Sequence, residues 1–363
     1  MHAAACTSAQ TTRPSPMFSI HPRYSAVRFG VIGVSAASLV AAIAVSTGGA
    51  SAATGGDPGF TRHTITQKVS LTGSGPADQT LSAVQYEPTG ARVKGIQVMV
   101  PGVTYDHRYF DLKTSRGWVS QAREAAKDGW ISVAVDRLGT GDSSSPAADQ
   151  LNGATHSATI HQLITKLKAA HKGLPVALVG HSMGSAVAIR EAATYKDVDA
   201  VVVTGFMHHS GSGQLVFNAM MHPAAEDAAF KGRTIPDGSL TSRDGMRHQF
   251  YWPFNADLST VKGDDAVKQI TTQGEFTAFG DELINDTFGK NVDVPVLSLV
   301  GEHDGLFFDP ADLKKALAAE PASYGSSPDV DVKSVLNAGH DLALQRNADS
   351  TTNTINEWLS DKL

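Results

Sequence analysis

Gly180-His181-Ser182-Met183-Gly184 restricts what this chain can fold into more than any other five residues. It follows a short apolar run, Pro175–Val179, and opens a small-residue-rich run with helical spacing, Met183–Tyr195. A serine between strand and helix, with glycine two places to either side, fits a sharp turn that lifts its hydroxyl above a sheet. Side chains at 180 and 184 would collide with that turn, so glycine suits both places. The following helix would aim its N-terminal N–H groups at the serine, where they favour developing negative charge. Ser182 is therefore the predicted nucleophile.

Around this turn the chain alternates β-type and helical runs. Thr64–Leu71 and Thr80–Tyr86, separated by Thr72-Gly73-Ser74-Gly75-Pro76, read as an antiparallel start. Gly95–Val100, Trp130–Val135, Pro175–Val179, Val198–Val203, Pro295–Val300 and Val330–Val335 read as further strands. Helical spacing covers Ser115–Asp128, Thr155–His171, Met183–Tyr195, Pro310–Leu317 and Thr351–Leu359. Short apolar strands alternating with helices predict an α/β fold, a mostly parallel sheet covered on both faces. Residues 205–291 break the rhythm. They lack a convincing core strand and are rich in aromatics: Phe217, Phe230, Phe250, Tyr251, Trp252, Phe254, Phe276, Phe279 and Phe288. The expected organisation is a leader (1–52), a first core part (53–204), a helical cap insertion over the C-terminal edge of the sheet (205–291) and a second core part (292–363).

A serine hydroxyl needs a base to become a useful nucleophile. His340, in Asn337-Ala338-Gly339-His340-Asp341, lies just past the last predicted strand, at the sheet edge that carries the turn. The third group must hold the imidazole tautomer and stabilise its positive charge. Asp304, in Gly301-Glu302-His303-Asp304-Gly305, is the leading choice, with Glu302 and Asp309 as competitors; the strand ending at Val203-Thr204-Gly205 offers no carboxylate. Oxyanion donors are expected from the N–H of Met183 and from the loop Pro101-Gly102-Val103-Thr104, where Val103 is favoured. Tyr105 and His107 in the same loop, and His208 and Trp252 in the cap, are further substrate-contact candidates. The run Asp136-Arg137-Leu138-Gly139-Thr140-Gly141-Asp142-Ser143 has neither the Lys-Ser/Thr of a phosphate cradle nor dinucleotide spacing, and reads as structural. His208-His209 has no convincing set of further zinc ligands. No cofactor and no metal are expected.

Charge and cysteine content narrow the partners. A formal net charge of -6 without a basic stripe argues against nucleic acid. The first 52 residues carry Arg13, Arg23 and Arg28 but no Asp or Glu, then the apolar stretch Phe29–Val45, then Ala50-Ser51-Ala52. This basic, apolar, small-x-small order predicts a secretory signal cleaved near Ala52 and a secreted product. Phe29–Val45 is short for a membrane anchor, which needs about 20 residues. Met17 offers an alternative start. The only cysteine, Cys6, lies in that leader, so the mature chain would have no disulfide and no thiol nucleophile. At this length a core can stabilise a secreted chain without disulfides.

The motifs resemble those of the α/β-hydrolase superfamily, in particular its esterase-, lipase- and thioesterase-like branches. The resemblance spans roughly residues 64–363 and is carried by GHSMG at 180–184, PGVTYDH at 101–107, DRLGTGDSS at 136–144, GEHDGLF at 301–307 and NAGHD at 337–341. It implies an eight-stranded sheet, no cofactor, and an acyl-serine intermediate resolved by water, and it supports the roles given to Ser182, Asp304 and His340. Many relatives carry His-Gly in the oxyanion loop where this chain has Pro101-Gly102. The serine argues against the epoxide-hydrolase and dehalogenase branches, which use an aspartate nucleophile. The leading expectation is hydrolysis of a carboxylic ester, lactone or thioester of an apolar small molecule. The same three residues could instead serve C–C bond hydrolysis, perhydrolysis or a cyclase or lyase step, and a non-catalytic binding protein on this scaffold is the remaining alternative.

Overall fold

The computed structural model describes residues 59–90, 92–277, 280 and 288–363; the leader with Cys6, Met17 and the cleavage point near Ala52, and also Phe279, lie outside them. Among the described residues the main sheet has eight strands: β1 (Phe60–Val69), β2 (Gln79–Pro88), β3 (Gly95–Val100), β4 (Trp130–Asp136), β5 (Val176–His181), β6 (Ala200–Thr204), β7 (Val296–Gly301) and β8 (Val330–Val335). They form one sheet in the order β1-β2-β4-β3-β5-β6-β7-β8. β2 pairs antiparallel with β1 and β4, and every other neighbouring pair is parallel. All eight coincide with runs read from the sequence. β3 to β7 are buried at every position, as continuous apolar strands must be when both faces are covered.

The helices are α1 (Gln121–Lys127), α2 (Gly153–Ala170), α3 (Met183–Tyr195), α4 (Gly213–Met220), α5 (Leu258–Ala266), α6 (Leu313–Ala319) and α7 (Ala348–Lys362). Two apolar layers sandwich the sheet. On one face Ile160, Leu163 and Ile164 of α2 and Val187 and Ile189 of α3 pack with Val98, Ile131 and Val201. On the other, Ala122 and Ala125 of α1 and Ile355, Trp358 and Leu359 of α7 pack with Val84, Met99, Val179 and Val202. Fully burying one such large side chain stabilises the fold by roughly 1.5–3 kcal/mol.

One local expectation needs correction. The run Ser115–Asp128 is not one helix. Leu112–Thr114 and Gly117–Val119 form a tight hairpin, in which Gly117 sits at φ 131°. α1 then starts where Ser120 Oγ accepts from the Arg123 N–H, because an N-cap serine satisfies a donor that the first turn cannot. Among the described residues of 205–291, helix is found in α4, in α5, over 273–277 and at 280. The remainder is 3-10 turns, irregular chain and a two-stranded ribbon pairing 221–223 with 240–242. Pro223, Pro236 and Pro253, with the left-handed glycines 232, 238 and 245, interrupt helical continuation throughout this stretch.

At the elbow the glycines are needed for space. A Cβ on Gly184 would stand 2.1 Å from the Val100 carbonyl oxygen, and one on Gly180 would stand 2.4 Å from Ser185 Cα. Both collisions are with backbone, so no side-chain adjustment could relieve them. α3 can therefore press its first turn onto the end of β3, and Ser182 is brought beside the loop that leaves that strand.

Candidate active site

Ser182 joins β5 to α3 with φ 52° and ψ -123°, a left-handed conformation that a serine holds only under constraint. The constraint is visible in the backbone. Ser182 N–H donates to Thr204 O at 2.8 Å, and Thr204 Oγ1 donates to Gly180 O at 2.7 Å, so β6 ties down both sides of the turn. Met183 is the first helical residue, and N–H groups in a helix's first turn have no acceptor within the helix.

The loop after β3 lies directly against the serine. A Cβ on Gly102 would stand 2.9 Å from Ser182 Cβ, so only glycine permits this approach. Val103, Ser182 and Met183 line one narrow cleft with Gln214, Phe217, Phe276 and Leu306, with a cavity of about 10 Å3. Arg137, from the run read as structural, holds this loop: its guanidinium donates to Pro101 O at 3.0 Å and to Gly102 O at 2.8 Å. Glu275 of the cap pairs with Arg137 and His156 in full burial, and although burial alone would raise its carboxyl, those partners hold it down at about 2.

His340 and Asp304 come from the loops after β8 and β7. His340 Nδ1 lies 2.9 Å from Asp304 Oδ2, and both residues are buried. A carboxylate can only accept, so Nδ1 carries the proton and Nε2 is left as the basic nitrogen. The competitors are engaged elsewhere. Glu302 accepts from the Asn337 N–H, and Asp309 accepts from Ser212. Asp304 and His340 line a second cleft that shares Phe217 and Leu306 with the one at Ser182, so a continuous apolar wall runs past both.

Behind His340 lies a buried polar network that sequence reading did not find. Tyr105 Oη donates to Asp341 Oδ2 at 2.6 Å and lies 3.2 Å from Asp264 Oδ2, while Tyr251 Oη donates to Asp264 at 3.0 Å. Arg247 donates to Asp264 and to Thr104 Oγ1, each at 2.9 Å, and covers the Tyr105 ring. His181 stacks on Tyr109 at 3.9 Å, and its Nε2 is 3.4 Å from Asp341 Oδ1. Burial pushes Asp264 and Asp341 above the usual carboxylate range, since one guanidinium faces two carboxyls. Burial drives His181 well below the ordinary imidazole value, and neighbouring His340 adds to this. For His340, burial pulls in the same direction, but the charge and hydrogen bond of Asp304, joined by Asp341, outweigh it and hold it above the ordinary value.

Four substrate-contact expectations do not meet either cleft. Tyr105 is buried in the network just described. His107 Nδ1 donates to Asp136 at 2.6 Å, and His208 Nδ1 donates to Glu320 at 2.8 Å. Trp252 stacks on His303 at 3.5 Å. Each ring is already occupied by a bonding or stacking partner. The walls come instead from Phe217, Phe250 and Phe276, three of the cap aromatics, and from Gln214 and Leu306.

With this geometry in view, the sequence profile described as the alpha/beta hydrolase family matches residues 97–350. Among solved structures, the chain is similar to a highly thermostable carboxyl esterase from Bacillus coagulans, at 14% identity and TM-score 0.60, covering 83% of this chain and 98% of that one. It is also similar to the monoacylglycerol lipase of Paleococcus ferrophilus, at 20% identity and TM-score 0.54, covering 78% and 99%. A third is E-2-(acetamidomethylene)succinate hydrolase, at 20% identity and TM-score 0.53, covering 81% and 98%. At these identities the likeness speaks for the fold. No curated protein matches the chain.

Proposed function

The chain belongs to the alpha/beta hydrolase family, and from that premise we propose that it is a serine hydrolase cleaving a carboxylic ester of an apolar small molecule. One observation carries this reading: Ser182 is held at φ 52° on a cleft whose wall continues to the His340–Asp304 pair. In this mechanism Ser182 Oγ attacks the acyl carbonyl as His340 Nε2 takes its proton. The N–H groups of Met183 and Val103 receive the oxyanion. Collapse expels the alcohol, protonated by His340, and leaves an acyl-serine. His340 then activates water to release the acid. Asp304 holds the tautomer and stabilises the imidazolium at each stage.

The cleft favours a short or flat acyl group, because Phe217, Phe276 and Leu306 leave a cavity of only about 10 Å3 beside the serine, far below the size of ligand pockets. A series of p-nitrophenyl esters from acetate to palmitate, with lactones and thioesters, tests this. Turnover should be highest for short acyl chains and fall at least about tenfold for the longest, as unburied methylenes forfeit binding. A folded protein that hydrolyses none of them would overturn the proposal. The basic, apolar and small-residue order of residues 1–52 supports export of the enzyme. A secreted form starting near Ala53 on N-terminal sequencing is the expected result.

The pH profile gives a further prediction. The base must be neutral, so kcat/KM should fall as pH drops through the raised value of His340, above the ordinary 6.5. Asp304 and Asp341 both favour the imidazolium. Asp304→Asn and Asp341→Asn should therefore each move this acid limb to lower pH. Asp304→Asn should also lower the plateau by roughly 10^3–10^4, because it loses control of the tautomer. An acid limb left in place by both substitutions would assign it to another group.

A further inference from the structure

On the face of the sheet that carries α2 and α3, three side chains far apart in sequence converge outside the cleft. His161 projects from α2, Glu191 from the later turns of α3, and Asp197 from the loop between α3 and β6. His161 Nδ1 lies 2.8 Å from Asp197 Oδ2 and 3.8 Å from Glu191 Oε1, and one ligand atom from each residue lies within 4.8 Å of the other two. Glu191 is 0% exposed, yet neither of its carboxylate oxygens has a hydrogen-bond partner, and Asp197 Oδ1 also lacks one. Buried carboxyls are otherwise hydrogen-bonded, ion-paired or bound to metal. The adjacent lysine, Lys168, gives its Nζ to the Asp197 backbone carbonyl at 2.7 Å.

We propose that His161, Glu191 and Asp197 bind a divalent first-row transition-metal ion of the Zn2+ or Mn2+ type, which ties α2 to the C-terminal end of α3. The donor set is one imidazole nitrogen and two carboxylates. Their two negative charges match one divalent cation, and the imidazole favours a transition metal over Ca2+ or Mg2+, which prefer all-oxygen shells. Bonds of about 2.0–2.2 Å at tetrahedral angles place ligand atoms about 3.4 Å apart, inside the spread seen here. The Tyr195 ring stacks on His161 at 3.9 Å and nearly parallel, which fixes the plane of the imidazole. His161 and Asp197 keep side-chain exposures of 30% and 19%, so water can reach the site and complete the shell. Binding requires the imidazole proton to move to Nε2, which frees Nδ1 and the Asp197 carboxylate from each other for the ion. His161, Glu191 and Asp197 form no recognisable spacing motif, so the set becomes visible only once α2 and α3 are packed.

The test is metal binding and thermal unfolding of the chelator-stripped protein. Calorimetric titration with Zn2+ or Mn2+ should show one tight equivalent. At a hundred times Kd the melting temperature should rise by about 5 °C. Glu191→Gln and Asp197→Asn should each weaken binding at least about tenfold, while His63→Ala, an exposed histidine on β1, leaves it unchanged. Glutamine keeps the volume of Glu191 without its charge, so the metal-free variant should melt no lower than the metal-free parent, and loss of the metal shift is then not loss of fold. Asp197→Asn, at a partly exposed position, gives the same reading should the buried position prove intolerant. Absence of binding by the parent, a response to Ca2+ or Mg2+ alone, or binding unaffected by both ligand substitutions would overturn the site.

Discussion

Ser182→Ala should abolish ester turnover, lowering kcat/KM by roughly 10^4-fold or more, while the protein melts within a few degrees of the parent. The size follows from what is removed. Without Oγ there is no acyl-enzyme route, and the oxyanion N–H groups can assist only direct attack by water. Retention of the fold follows from the backbone. The turn is held by the Ser182 N–H bond to Thr204 O and by glycines that fit against Val100 and Ser185, neither of which involves the hydroxyl. Alanine at φ 52° carries about the same backbone strain as serine. Steady-state kinetics and thermal unfolding on the same preparation check both halves. Turnover above about one per cent of the parent would contradict the assigned nucleophile.

Arg247→Met should produce the largest loss of stability, about 3–5 kcal/mol, because it leaves buried carboxyls without their cation. Arg247 is fully buried, and its guanidinium bonds Asp264, Thr104 and Ser242 while covering the Tyr105 ring. Methionine fills much of the volume but answers none of these acceptors. The effect should depend on pH with a definite sign. Asp264 and Asp341 are already raised by burial, and loss of Arg247 raises them further. A carboxyl that is raised in the folded state binds more protons there than in the unfolded chain. Its folded state is therefore favoured below the ordinary carboxylate value of about 4 and loses stability as pH climbs through the raised value. Urea unfolding at pH 5 and pH 8 should show the larger deficit at pH 8. Arg247 also opposes the charge on His340, so its removal should move the acid limb of kcat/KM upward. An equal deficit at both pH values would mean that the network is held by packing alone.

What could be read from residues alone was whatever repeats locally. The eight strands are short apolar runs bounded by turn residues, and each signals itself. Ser182, Asp304 and His340 sit in glycine-bearing loops directly after such runs, so strand position brings them to one edge before any side chain is placed. The errors arose where three-dimensional neighbours decide. Ser115–Asp128 has helical spacing, but Gly117 and the N-cap Ser120 divide it. Residues 205–291 carry aromatics without a period, which leaves the turns and the two-stranded ribbon among the described ones unsignalled. Tyr105 and His107 lie in the right loop but turn inward, to Asp341 and Asp136. His181 and Asp341 had a signal of a kind, because each adjoins a predicted active residue. Arg247 and Asp264 had none, since no spacing relates a cap arginine and an aspartate on α5 to the loop that carries His340.

The most direct test of the central claim is labelling of the folded protein with a fluorophosphonate, followed by intact-mass analysis and peptide mapping. A hydroxyl reacts with such a probe at a useful rate only when a base withdraws its proton. One adduct per chain is expected, on Ser182, absent from Ser182→Ala and slowed by at least about 10^3-fold in His340→Ala. A folded protein that takes no adduct, or takes it at another residue, would contradict the assignment of Ser182 as an activated nucleophile.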